Sequence, residues 1–139
     1  MKKIELIYIL VLIVALSGCI LAVSAEEKID GLNVSSDLNK SLDDAKANNK
    51  TVLLIFDQSS CTYCDMFKKD VLSNSTIQKE LNKKYNVVIV DMNKEYNLAS
   101  KYKVVGTPTE VFLNSNGDEI HKVEGYVPPA EFSKELKEI

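Results

Sequence analysis

Residues 51–71 read TVLLIFDQSSCTYCDMFKKDV, and this stretch decides the fold. Its first six residues are apolar or β-branched without a polar break after Thr51. Such a run between turn signals predicts a strand covered on both faces, as in the middle of an α/β sheet. Asp57-Gln58-Ser59-Ser60 reads as a loop, and Cys61 opens a helix whose apolar face is Met66, Phe67 and Val71. The Cys61-x-x-Cys64 pair therefore falls on a strand-to-helix junction.

Working outward, Ser36 or Asp37 is positioned to cap a helix reaching Lys46, with Leu38, Leu42 and Ala45 on one face and Asn48-Asn49 ending it. A short strand is possible near residues 32–34. Downstream, Ser73-Asn74-Ser75 interrupts the helix, and Ile77, Leu81 and Tyr85 resume helical spacing. Residues 87–90 predict a second buried strand, 98–102 a short helix and 109–113 a third strand. Asn116-Gly117 inside residues 114–118 is a hairpin signal, so 119–123 is the antiparallel partner. Pro128-Pro129 starts a last helix with Phe132, Leu136 and Ile139 facing inward. The order (β)αβαβαββα predicts an α/β protein, a three-layer α/β/α sandwich around a central mixed sheet.

The chain has 139 residues, 45% hydrophobic and 27% charged, enough for one domain with a core and too little for two. Net charge is −3 and arginine is absent. Nucleic acid is not an expected partner, because phosphate binding rests on clustered cations. Residues 1–25 have the layout of a signal peptide or anchor: Lys2-Lys3, then eleven apolar residues over 6–16. Leu16-Ser17-Gly18-Cys19 matches a bacterial lipobox, making Cys19 a lipidation candidate. Val23-Ser24-Ala25 offers a simple cleavage site, and residues 6–23 are just long enough to remain as a membrane span. All three fates place the chain from Glu26 onward outside the cytoplasm, held to the membrane through the N-terminus in two of them. Residues 26–36 read as a tether with a possible first strand, and 37–139 as the folded domain.

The chemistry lies in the cysteine pair. A thiol at a helix start gains from free backbone N–H groups and the helix dipole, which lower its pKa from ~8.5 toward ~3.5–7.5. Cys64 lies one helical turn on, beside Cys61 and deeper. Cys61 is then placed to attack a disulfide, and Cys64 to resolve the mixed disulfide. Three other readings remain open: a static disulfide, half of a zinc site, or two inert thiols. A closed zinc site lacks protein ligands here, since His121 is the single histidine, and no metal is expected. Thr107-Pro108 leads into a strand, where a cis-proline is possible.

On these residues the chain resembles the thioredoxin superfamily over about residues 32–139. Within it, residues 61–81 are similar to extracytoplasmic thioredoxin-like domains: the C-terminal domain of DsbD-type membrane reductases and SoxW-like periplasmic thioredoxins. The resemblance implies Cys61 as nucleophile, Cys64 as resolving thiol, and Thr107-Pro108 as a cis-proline loop lying against the pair and meeting substrate backbone. It places Gly117 at the hairpin turn and Gly125 before the last helix. Ser60 stands where thioredoxins proper carry Trp, and Thr62-Tyr63 where they carry Gly-Pro. Their buried Asp, six residues before the first cysteine, is Ile55 here. Asp57 falls on the same strand face; it either takes over as proton acceptor for Cys64 or caps the loop. Tyr63, Thr62 and Gly106 are candidate substrate contacts. His121 is expected to face solvent, and Met66 and Phe67 to pack in the core.

The expectation is an extracytoplasmic, membrane-tethered thiol–disulfide oxidoreductase, monomeric, reducing disulfides of exported proteins. Its electrons would come from a membrane thiol donor of DsbD or CcdA type. No cofactor is expected beyond the Cys61–Cys64 disulfide. A disulfide oxidase or isomerase, or a thioredoxin-fold binding module with a structural or metal-holding pair, is the alternative.

Overall fold

The computed structural model describes residues 27–139. The expectations for residues 1–25, including lipidation of Cys19, lie outside the described residues.

The described residues form five strands and five helices. They are β1 (Val34–Ser35), α1 (Leu38–Asn48), β2 (Thr51–Asp57), α2 (Thr62–Met66, continued by a π-helical segment, Phe67–Leu72), α3 (Ser75–Lys84), β3 (Tyr85–Asp91), α4 (Tyr96–Lys101), β4 (Thr109–Leu113), β5 (Glu119–Glu124) and α5 (Pro129–Glu138). The sheet order is β1-β3-β2-β4-β5. β1 and β2 run parallel to β3, while β4 runs antiparallel to both β2 and β5. The expected mixed sheet is therefore present.

The central strand β2 pairs along both edges, and Val52–Phe56 are all buried. Alternation divides them between two cores. On one face Leu53 and Ile55 join Val87, Ile89 and Phe112 under the helices that supply Phe67, Val71, Leu81, Phe132 and Leu136. On the other, Val52, Leu54 and Phe56 pack with Val88, Val90 and Val111 under α1 and α4, through Ala45 and Ala99. That division is the three-layer sandwich.

Helix ends carry the expected chemistry. Asp37 caps α1, its side chain accepting from the Lys40 amide, and Asn49 closes it at φ 53°. Asn74 caps α3, its Oδ1 accepting from the amides of Thr76 at 3.0 Å and Ile77 at 3.2 Å. An Asn74→Ala variant is expected to lose about 1 kcal/mol of stability in urea unfolding, because two helix-end donors lose their acceptor. An unchanged urea midpoint would contradict this role.

Three expectations need correction. Tyr85 is not the last turn of α3 but the first residue of β3. Leu81 to Tyr85 keeps helical spacing only because both are buried, and the Tyr85 hydroxyl reaches the Leu136 carbonyl at 3.1 Å. Met66 is not core but 37% exposed. The buried stripe instead runs through Cys64, Phe67 and Val71 at helical spacing, with Leu72 added in the π segment, where the Ser73 amide reaches back to the Lys68 carbonyl. Ile139 does not face inward; it follows the last turn and is 40% exposed.

Candidate active site

β2 ends at Asp57, and the chain turns through residues 58–60, where Ser60 takes a left-handed conformation (φ 64°). Cys61 follows as the N-cap of α2. Its sulfur accepts a hydrogen bond from the Cys64 amide at 3.2 Å. Cys61 and Cys64 are joined as a disulfide, with Cα atoms 5.2 Å apart. Cys61 is partly exposed, whereas Cys64 is only 2% exposed.

The second wall is the loop before β4. The Thr107–Pro108 peptide is cis. Thr107 Oγ1 donates to Cys61 Sγ at 3.4 Å, and the Thr107 carbonyl oxygen lies 3.6 Å from the same sulfur. Two further bonds hold this loop: Thr109 Oγ1 donates to the Gly106 carbonyl, and the Gly125 amide donates to the Pro108 carbonyl, each at 2.8 Å. Gly125 has φ +84°, a conformation that favours glycine at this crossing. Residues 46 positions apart thus meet at one sulfur.

Around the pair the surface is open and apolar. Tyr63 is 61% exposed and its ring lies 6.5 Å from that of Tyr126. Thr62 and Gly106 are exposed, and Val105 beside Gly106 is 86% exposed. The structure brings all the candidate site residues of the folded part to this corner.

Asp57 has fixed partners. Its Oδ1 accepts from the Gln58 amide at 2.7 Å, and its Oδ2 pairs with Lys68 Nζ at 2.8 Å. Lys68 also pairs with Glu27. Burial works against the Lys68 charge, but hydrogen bonds and charge from Asp57 and Glu27 outweigh it and raise its pKa above the ordinary lysine value. Lys68 was not singled out in the sequence.

One oxygen of Asp57 and the two cysteine sulfurs lie within 4.8 Å of one another. As a metal set these donors do not fit in the disulfide state. The sulfurs are bonded to each other and the carboxylate is engaged by Lys68. His121, expected to face solvent, keeps its side chain 39% exposed and bonds Glu135 Oε2 of α5 through Nε2 at 2.7 Å.

Sequence reasoning also missed Glu110. It is fully buried on β4, directly opposite Ile55 of β2 and Val123 of β5. Neither carboxyl oxygen has a hydrogen-bond partner. Burial pushes its pKa up to about 8. The signal was available: strand alternation puts residue 110 on the face of Phe112, which is core.

A cysteine partly exposed at a helix cap, bonded to a buried one a turn below and touched by a cis-proline loop, defines a thiol–disulfide oxidoreductase. The chain belongs to the thioredoxin-like domain family, whose pattern matches residues 38–139. Among curated proteins it is similar to the thiol:disulfide interchange protein DsbD of Yersinia pestis (strain Pestoides F), 31% identical over 101 residues, or 67% of this chain. The match spans only 16% of that relative's length. Among solved structures it is similar to a thioredoxin from Thermus thermophilus, with TM-score 0.70 and 31% identity over 78% of this chain and 86% of that one. The fold is also that of the DsbH oxidoreductase, TM-score 0.66, covering 77% of this chain and 83% of that chain at 23% identity. Among the described residues no helix is long and apolar enough to cross a membrane.

Proposed function

We propose that this oxidoreductase works outside the cytoplasm, tethered to the membrane, as a reductant of disulfides in exported proteins. The observation that carries the redox reading is the asymmetry of the pair. Cys61 is reachable and ringed by donors, while Cys64 is buried one helical turn away. In the reduced protein, the Cys64 amide and Thr107 hydroxyl are placed to stabilise a Cys61 thiolate. Cys61 attacks the client disulfide, and Cys64 displaces the client from the mixed disulfide. Thr107 and Pro108 present the loop edge to client backbone, and Thr62, Tyr63 and Gly106 line the approach. Asp57, held by Lys68 and the Gln58 amide, supports the loop-holding role of its two readings.

The export and tether reading is supported by the basic and apolar N-terminal pattern with its lipobox at Cys19. Similarity to part of DsbD supports a membrane thiol donor of DsbD or CcdA type. The domain acts as a monomer and stores its two electrons in the cysteine pair alone.

Reduced protein is expected to accelerate insulin-disulfide reduction, and Cys61→Ser to leave only the background rate. Equal rates would end the enzyme reading. A reduction potential more negative than about −300 mV would instead mark a structural disulfide. Mass spectrometry of the membrane fraction is expected to find a diacylglyceryl-modified Cys19 as first residue; a free N-terminus at Glu26 would overturn the lipid tether.

A further inference from the structure

Asp57 holds its loop, yet it also faces the cysteine pair. One of its oxygens and both sulfurs lie within 4.8 Å of one another. Each carboxyl oxygen accepts one hydrogen bond, Oδ1 from the Gln58 amide and Oδ2 from Lys68 Nζ. A carboxylate has about four lone-pair sites, so each oxygen keeps one for a further partner. Asp57, Cys64, Lys68 and Pro108 line one small cavity, so these groups converge on a gap rather than on packed side chains. Thr107 adds a fourth donor residue. Its Oγ1 lies 3.4 Å and its carbonyl oxygen 3.6 Å from Cys61 Sγ.

The disulfide leaves no place for an ion among these donors, because the sulfurs are bonded to each other. The dithiol is different. Zinc takes thiolate sulfur at ~2.3 Å and carboxylate oxygen at ~2.0–2.2 Å, in a tetrahedron. In such a tetrahedron a sulfur and a neighbouring oxygen stand about 3.5 Å apart, and two sulfurs about 3.8 Å apart. Both Thr107 oxygens already stand near that distance from Cys61 Sγ. Once the disulfide opens, rotation of the partly exposed Cys61 side chain lets the sulfurs reach theirs. The charges balance as well. Two thiolates and a carboxylate carry three negative charges, and a divalent ion with the Lys68 ammonium carries three positive ones. Lys68 orients the carboxylate from behind, as the partner of a metal-bound carboxylate does. The Cys64 amide, bonded to Cys61 Sγ, favours the thiolate there.

We propose that the reduced protein is a zinc site. Cys61 and Cys64 as thiolates, one Asp57 oxygen and one Thr107 oxygen bind a single Zn²⁺, and the ion keeps the dithiol out of reaction until it leaves. The inference rests on the redox reading above and adds a control to it. On binding, both thiols lose their protons to solvent, and each sulfur donates an electron pair to the ion. A client disulfide meets a free nucleophile only in the metal-free pair. When it oxidises that pair, the sulfur–sulfur bond forms and two electrons pass to the two client sulfurs, which take up protons from water. The resulting disulfide has no thiolate left for the ion. The donor set selects the metal: thiolates discriminate against calcium and magnesium, and the two oxygens against cuprous copper, a soft ion.

The test is competition for Zn²⁺ between the full chain and a chromogenic chelator of micromolar affinity, in a Cys19→Ala background that removes the third cysteine. The reduced protein is expected to take one ion per chain and the oxidised protein none. Asp57→Asn is expected to weaken binding at least roughly 10-fold, the low end of what removing even a ligand's partner costs. Binding in Asp57→Asn within twofold of the parent would reduce the site to a bare dithiol and overturn the proposal. X-ray absorption at the zinc edge needs no Asp57 variant. It is expected to show two sulfurs at about 2.3 Å and two oxygens at about 2.0–2.2 Å. Four sulfurs would mark an ion shared between two chains and overturn the proposal as well. One equivalent of Zn²⁺ is expected to slow the reaction of the reduced protein with a coloured aromatic disulfide roughly 10-fold or more, and chelator to restore it. An unslowed reaction would overturn the proposal and leave the redox reading standing. A chain that binds zinc but never reduces the disulfide after chelation would keep the site and sink the redox reading.

Discussion

Replacing Cys64 by Ser is expected to turn catalysis into capture. Cys61 keeps its place at the N-cap, its contact from Thr107 Oγ1 and its exposure, none of which needs a sulfur at position 64. It still attacks a client disulfide, but nothing one turn below displaces the client. Turnover of insulin is expected to fall to the uncatalysed rate, while one client accumulates per chain as a covalent complex. Non-reducing electrophoresis reads that complex, and a reductant removes it. Cys61→Ser is expected to give neither turnover nor complex, because Cys64 is too buried to meet a protein-sized disulfide. The contrast follows from depth rather than from motif. A Cys61→Ser variant that trapped clients as well as Cys64→Ser would show that the buried sulfur is reached, and the division of labour would fail.

That depth was legible in the sequence, and the reason is local. Residues 51–56 carry no polar side chain after Thr51, so the strand had to be central. Helical periodicity then fixed which cysteine turns inward. That Thr107-Pro108 lies against the cysteine pair was legible only through the resemblance, since proximity of residues so far apart is a property of the whole sheet. Elsewhere, periodicity misled where two elements abut without a breaker. Lys84 ends α3 and Tyr85 starts β3 with no Gly or Pro between, so a buried tyrosine fitted the helix equally well. Met66 was misplaced because the buried stripe runs through Cys64, Phe67 and Val71, and an apolar residue type beside that stripe does not by itself tell which face it takes. The Lys68 partner of Asp57 was invisible because the two stand 11 residues apart on different elements and meet only in the packed fold. Glu110 was passed over because a glutamate in a strand suggests solvent. β4 is covered on both faces and paired on both edges, and there the suggestion fails.

The buried carboxyl should also leave a mark on stability that needs no client. Its folded pKa, about 8, lies above the ordinary value of 4.5. Between those values the folded chain holds a proton that the unfolded chain has released. Stability must therefore fall as pH rises through that window and level off above about pH 8. A tenfold difference in proton affinity between folded and unfolded chain is worth about 1.4 kcal/mol, so the accumulated loss is on the order of 4 kcal/mol for so buried a group. Lys68, the cation nearest the active-site cavity, does not contribute in this window, because its raised pKa acts only at more alkaline pH. Urea unfolding of the oxidised wild type is therefore expected to show a marked drop in stability from pH 5 to pH 8. Glu110→Leu is expected to lack that drop and to be the more stable protein at pH 8, since an apolar side chain fills the same volume without a charge to bury. Parallel stability curves for the two proteins would mean that Glu110 is solvated or paired after all.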